Sequence, residues 1–441
     1  MKKTLILGIV FFVVAFGKTS LATDIGFKEF DLPNGLHVIV HEDHSVPIVA
    51  VSVMYHVGSK NEQPDRTGFA HFFEHLMFEG TKYIDRHQYD KIVESAGGTL
   101  NANTSNDRTY YYEILPSNQL ELGLWLESER MLHARVDSIG IATQKGVVIE
   151  EKKQTVDNRP YGSILEETLK RAYINHPYRW SIIGNADHIR AAKDEEFQKF
   201  YNSFYVPNNA VLVLAGDINF ADAKKLAEKY FTDIPVKKEE IYRPAMTEET
   251  KHIEVRDTIY DNIQLPAVLQ AYHIPAMGSK DFYAVEMLSQ LLATGQSSRL
   301  YKSLVDEQQL AIVVEAVPLP FEDPGLAIIF ALPNMGLDCA KIEAAMQKEI
   351  EKAQTELVPE KEFQKLKNQV ENQIVTENST IASRANKLAE DYTYFKDANR
   401  INTDLSKYLA VTPEDLKRVA NDYFRKDNRV VLYDLPKSSK K

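Results

Sequence analysis

The feature that most constrains this chain is that it is written twice. Glu196-Phe197, Phe204-Tyr205, Asn209 and Val211 are answered by Asp415-Leu416, Tyr423-Phe424, Asn428 and Val430, each 219 residues later. Further upstream, Tyr55-His56-Val57 is answered by Tyr272-His273-Ile274 at an offset of 217. A period this long lies far outside the roughly 20–50 residues of solenoid repeats. It predicts two homologous α/β domains, and 441 residues leave room for both.

Local patterns fill in the first copy. Val49–Val57 alternates as a strand should, and Thr99–Pro116 reads as two strands around Ser105-Asn106-Asp107. Thr67 is placed to cap a helix running to about Phe78 and stopped by Gly80. Leu120–Val136 and Ile141–Val156 read as helices, and Ala210–Ala215 as a buried strand ended by Gly216-Asp217. Periodicity fades over Val236–Thr250, which holds Lys237-Lys238-Glu239-Glu240 and Pro244. The expected division is a signal peptide at 1–22, a first domain at 23–235, a linker at 236–252 and a second domain at 253–441. The expected fold class is α+β, each domain a mainly antiparallel sheet packed with helices.

The N-terminus explains the first of these segments. Lys2 and Lys3 precede an apolar run from Leu5 to Phe16, and Ser20-Leu21-Ala22 offers small residues at a cut after Ala22. This is the pattern of a cleavable secretory signal, and the run is short of the roughly 20 residues that span a bilayer. The expected location is the periplasm or the medium, with no stable membrane span after cleavage. Losing Lys2, Lys3 and Lys18 takes the net charge from −11 to −14. An acidic chain without a dense basic run is a poor nucleic-acid binder. Cys339 is the only cysteine, so an intramolecular disulfide and any cysteine-built metal site are excluded.

The sharpest local signal is His71-Phe72-Phe73-Glu74-His75. Residues four apart on a helix share one face, so His71 and His75 can present two imidazoles to one metal, with Glu74 on the same arc. This H-x-x-E-H arrangement is the inverted form of the H-E-x-x-H zinc motif. A catalytic zinc needs a third ligand and an open position, and a nearby carboxylate to take a proton from its water. Many carboxylates could be that third ligand. Glu150-Glu151 is attractive because it sits on a predicted helix, although Lys152 and Lys153 would equally suit a solvated face.

With these residues in view, the chain resembles the insulinase/pitrilysin family of inverted-motif zinc peptidases. Within that family it is similar to half-length members related to mitochondrial processing peptidase. The matching stretches are Gly68–Thr81, Ala96–Tyr112, Val147–Lys153, Tyr205–Asp217 and Gly295–Tyr301. The resemblance implies one Zn²⁺ per chain, held by His71, His75 and a distal Glu, with Glu74 as general base. It favours Glu151 as the distal ligand, with Glu150 as the alternative. It also places Gln144, seven residues before Glu151, where the family carries an acidic partner of the ligand. Asn101, Ala102, Asn103 and Thr104 resemble the family's exposed edge strand, which binds substrate backbone by strand addition.

Two departures from the family pattern matter. By the repeat, Glu286, Ser289 and Gln290 stand where His71, Glu74 and His75 stand in the first copy, so the second domain is expected to be non-catalytic. Val305 and Ile312 take the places of an Arg and a Tyr that bind substrate and the developing oxyanion in active relatives. Neither side chain can donate a hydrogen bond. The expectation is a second subunit of the same family that supplies the Arg/Tyr pair in a clamshell heterodimer, with a homodimer as the rival. The leading functional reading is an exported zinc endopeptidase. The alternatives are a non-catalytic scaffold subunit on the same fold, which the complete motif argues against, and a zinc hydrolase of non-peptide bonds. Arg299 is read as structural, and His56, His133, His188 and His273 as core or surface residues.

Overall fold

Among the described residues, eleven strands fall into two sheets. The computed structural model describes residues 24–244, 248 and 253–440. The expected signal peptide and part of the expected linker (245–247 and 249–252) lie outside the described residues. The first sheet holds β1 (Lys28–Asp31), β2 (His37–Glu42), β3 (Ile48–Tyr55), β4 (Thr99–Thr104), β5 (Thr109–Pro116) and β6 (Ala210–Gly216), in the order β1-β2-β6-β3-β5-β4. The second holds β7 (Val255–Asp261), β8 (Ala267–Ile274), β9 (Ala311–Leu319), β10 (Gly325–Pro333) and β11 (Arg429–Pro436), in the order β7-β11-β8-β10-β9.

The second order is the first without β1. In each sheet one pair is parallel, β2 with β6 and β7 with β11, and the remaining neighbours are antiparallel. The register repeats as well. Tyr55 lies opposite Ala210 in the first sheet, and Tyr272 lies opposite Arg429 in the second. The repeated asparagine has one job in both halves. Asn209 Nδ2 donates to Phe204 O (2.8 Å) and His56 O (3.3 Å), and Asn428 Nδ2 to Tyr423 O (2.8 Å) and His273 O (2.9 Å). Each ties the end of a helix to the end of a neighbouring strand just before the last strand begins. The chain is therefore an α+β protein of two homologous halves.

The inner strands, such as β3, β6 and β8, are buried on both faces because both faces are covered. Leu212 and Leu214 of β6 join a core with Phe72, Phe73 and Leu124 of the first half. Val211, Val213 and Ala215, pointing the other way, pack against Ala385, Leu388 and Ala389 on helix Ile381–Phe395 of the second half. The exchange is mutual. Ile164, Leu169 and Ala172 on helix Ile164–Ala172 of the first half cover Leu269, Ala271, Ile328 and Leu432 in the second sheet. The two exchanged helices begin at Ile164 and Ile381, which are 217 residues apart. They are copies of one element, and each crosses to the other sheet.

A buried polar cluster closes the seam. The Lys60 ammonium lies 3.0 Å from Asp107, 2.6 Å from Glu322 and 3.3 Å from Asp323, and His56 lies 3.0 Å from Glu322. Glu322 and Asp323 come from the turn between β9 and β10, and the other groups from the first half. Burial alone would raise the Glu322 carboxyl, but His56 and Lys60 hold it at about 2.

Two outcomes follow from this architecture. Leu388→Ala removes a fully buried side chain from the exchanged helix and is expected to cost about 2–5 kcal/mol. In urea, fluorescence and circular dichroism should still report one transition, since neither sheet keeps its cover without the other. Glu322 has a depressed folded pKa, so its stabilising contribution is full above its ordinary value of 4.5 and is lost as pH falls toward 2. Glu322→Gln should therefore flatten the acid limb of a stability–pH profile, by on the order of 2 kcal/mol.

Candidate metal centre

The helix Phe69–Leu76 has two unlike faces. Phe69, Phe72, Phe73 and Leu76 are buried, with Phe69 stacked on Phe197 and Phe72 tilted against it. His71, Glu74 and His75 fall on the other arc, which is only partly covered. The N-terminus differs from the sequence expectation in its cap. Gly68, at φ +93°, holds the N-cap position, and a Cβ there would come 2.6 Å from Ile183 O. Thr67 turns away, its hydroxyl accepting from Asn185 N (3.0 Å) and pairing with His188 Nδ1 (2.9 Å). The helix N–H groups are satisfied instead by Glu62, whose carboxylate accepts from Gly68 N (2.9 Å) and Ala70 N (2.8 Å). Glu62 is 4% exposed, and burial pushes its carboxyl up to about 8 against the pull of these donors. The helix also ends sooner than expected, at Leu76, with Phe78 and Glu79 continuing in tighter turns onto His75 O and Leu76 O.

A second helix, Ser138–Lys152, brings in the third group. It starts at Asp137, whose carboxylate accepts from Gly140 N (3.0 Å). It widens into a π turn at Lys153–Asp157, directly after the acidic pair. Glu151 faces the imidazoles, 3.5 Å from His71 Nε2 and 3.2 Å from His75 Nε2. One donor atom from each of the three residues lies within 4.8 Å of the others. Glu150 instead points outward to Lys153 (3.2 Å) and Gln154 (3.3 Å). The hydrogen bond from His71 is the chief influence holding the Glu151 carboxyl down, whereas burial lowers His75.

The other expected residues are distributed as follows. Gln144 sends its amide to Glu79 Oε1 (2.7 Å), rather than to Glu151, and Arg86 holds the other oxygen, Glu79 Oε2 (3.0 Å). Asn101, Ala102, Asn103 and Thr104 lie on β4, the edge strand of the first sheet, with Asn101 and Asn103 exposed. Thr104 has a contact that sequence reasoning did not foresee: its hydroxyl donates to Glu74 Oε2 at 2.6 Å. Glu62 was missed altogether, because an acid six residues before a helix carries no capping signature. In the second half, Glu286 bonds the Tyr408 hydroxyl, Ser289 bonds Val285 O and Gln290 bonds Gln373, so no comparable set forms there.

Two imidazole nitrogens and one carboxylate oxygen are a donor set that suits zinc. The buried Glu151 Oε2 lies 3.2 Å from His75 Nε2 without a well-directed hydrogen bond, which leaves its lone pairs open to a metal. Among the described residues this is the one cluster of His, Cys, Asp and Glu close enough to hold an ion.

Residues 37–186 match the family described as Insulinase (Peptidase family M16), and residues 192–370 match the Peptidase M16 inactive domain. The zinc protease PqqE of Helicobacter pylori is 30% identical over 408 residues, which cover 92% of each chain. The chain belongs to peptidase family M16, the insulinase family. The crystal structure of a protease from Helicobacter pylori superposes on this M16 chain with a TM-score of 0.89, at 28% identity, covering 93% of this chain and all of that one (100%). The periplasmic protease PqqL from Escherichia coli shares the fold, with a TM-score of 0.76 at 18% identity. The match covers 93% of this chain and 48% of PqqL. In this M16 chain, the part described as inactive includes Glu286, Ser289 and Gln290, whereas the His71 and Glu151 helices fall in the other.

Glu151→Gln should weaken zinc binding by more than the roughly 10–100-fold typical of losing an outer partner. Glu150→Gln should change it little. Competition against a chromophoric chelator reads both.

Proposed function

We propose that this chain is an exported zinc metallopeptidase that cleaves peptides or unfolded segments and is completed by a second M16 subunit. His71, His75 and Glu151 would hold one Zn²⁺. When bound, zinc supplies Lewis-acid polarisation of a carbonyl and acidification of a water. Glu74 then serves as the base that takes the water proton and returns it to the leaving amine. The observation that carries this reading is the joint placement of the triad and of Glu74, the latter fixed by Thr104. Thr104 lies on β4, so the strand we assign to substrate backbone pairing at Asn101, Ala102, Asn103 and Thr104 also orients the base. Substrate register and proton transfer are thereby set by one element.

Three features support the rest of the proposal. Residues 1–22 have the form of a cleavable signal, and no described helix is long and apolar enough to cross a membrane. PqqL, which shares the fold, is a periplasmic protease, and this chain matches about half of it (48%). Val305 and Ile312 bring no donor to a developing oxyanion, a role often worth several kcal/mol. A partner with the Arg and Tyr would complete the site. Residues 23–235 are taken as the metal-bearing domain and 253–441 as its non-catalytic counterpart.

The test is cleavage of a quenched, unstructured peptide by the zinc-loaded chain beside Glu74→Gln. Each is assayed alone and with a co-expressed M16 chain that lacks H-x-x-E-H. Activity only in the pair, lost in Glu74→Gln, is the expected result. Full activity of the chain alone would overturn the need for a partner. No cleavage in any arm, with zinc bound, would overturn the peptidase reading.

A further inference from the structure

The second half contains a cavity where the first half contains the metal centre. Helix Glu360–Glu377 packs on helix Phe282–Ala293, as helix Ser138–Lys152 packs on helix Phe69–Leu76. Glu286 and Gln290, the counterparts of His71 and His75, both line a cavity of about 320 Å³. The exchanged helix Ile381–Phe395 closes it with Lys387, Glu390 and Asp391, and Arg400 and Asp404 complete the polar wall. Phe282, Tyr394 and Pro318 supply apolar and aromatic surface.

The charges in this wall do not balance. Glu286, Glu377, Glu390, Asp391 and Asp404 face two lining cations, Lys387 and Arg400. Two more cations reach in from outside, Lys407 to Asp404 (2.8 Å) and Arg108 to Glu390 (3.1 Å). Glu286 is hydrogen-bonded by the neutral Tyr408 hydroxyl, and Lys387 acts on it only through space. Asp391 is 1% exposed, and its Oδ2 has no hydrogen-bond partner even though Lys387 holds Oδ1 and Arg400 Nε lies 3.8 Å from Oδ1. Burial pushes both the Glu286 and the Asp391 carboxyls up to about 7. A buried carboxylate oxygen without a donor is costly, and an entering cation would satisfy it.

The carboxylates are too widely spaced for a metal cage, since no three of them bring oxygens as close as the His71 set does. Spread acids with an aromatic wall suit a larger, softer cation. We propose that this cavity is a binding site for an organic cation, an alkylammonium or guanidinium group, with Asp391 and Glu286 as its anchors. The cation could be a free amine or a basic side chain on a peptide. Arg108 ties the Glu390 wall to Asn103 on β4, bonding both its backbone and side-chain oxygens, so the cavity adjoins the edge strand.

Calorimetry on the full chain carrying Glu74→Gln separates the sources without turnover, whether or not the chain is a peptidase. The probes are agmatine, a blocked heptapeptide with a central Arg, and the same peptide with norleucine. Binding of agmatine marks a free-amine site, and binding of the Arg peptide alone marks a side-chain site. Either supports the proposal if the norleucine peptide does not bind. Asp391→Asn and, separately, Glu286→Gln should then weaken binding by about thirtyfold. Hydrogen exchange on the unsubstituted cavity should show ligand protection within 286–290 and 387–404, which locates the site even if a variant misfolds. No binding of either cation, equal binding of the norleucine peptide, or protection confined elsewhere would overturn the proposal.

Discussion

The structure depends on the mutual exchange of helices Ile164–Ala172 and Ile381–Phe395. A sheet apolar on both faces needs two covers. Here the first cover is local and the second is borrowed from the other copy. Val213, Ala215, Leu269 and Ile328 would all meet water if the halves parted. A duplication that keeps its two products separate can drift into independent domains, but this one cannot. The buried Lys60 cluster adds direction to that apolar seam, because an ammonium among three carboxylates tolerates little sliding.

That rigidity positions the candidate metal centre. The His71 helix is short, eight residues, and would be marginal in isolation. It is held at its start by Glu62, in its middle by the Tyr111 hydroxyl on Phe73 O (3.0 Å), and along its length by Phe197. The Glu151 helix is braced against it. The candidate ligands therefore sit on packed elements rather than on loops, which is what a preorganised site requires.

Much of this was legible in the sequence, and the reasons are physical. The H-x-x-E-H spacing is a helix-face statement, so the shared face of three candidate site residues could be read from periodicity. The repeat was readable because Asn209 and Asn428 perform the same backbone-tying task, and a task fixed by geometry preserves its residue. The choice of Glu151 over Glu150 came from family resemblance. Local sequence could not make it, because which of two adjacent residues faces inward depends on how the helix is rotated against its neighbour. Glu62 and the Thr104–Glu74 bond were illegible for a related reason: both join segments brought together only by the fold. The Thr67 cap failed because the chain needs the left-handed conformation at Gly68 to pass Ile183, and that turn moves Thr67 out of capping range.

The edge strand poses a final problem that the structure itself resolves. An open edge invites unwanted pairing, and natural sheets blunt such edges. Among the described residues β4 pairs only with β5, yet a polar group on its open side is already occupied. Ala102 N donates to the Asn101 side chain (2.8 Å). Asn101 is exposed, so this bond can be exchanged for a peptide backbone at small cost. Under the proposed function, Asn101 thus does two things: it guards the edge when the strand is alone and gives way when a chain is laid beside it. An apolar side chain at 101 could guard nothing. This explains why a strand so close to the candidate catalytic base is polar along its exposed side.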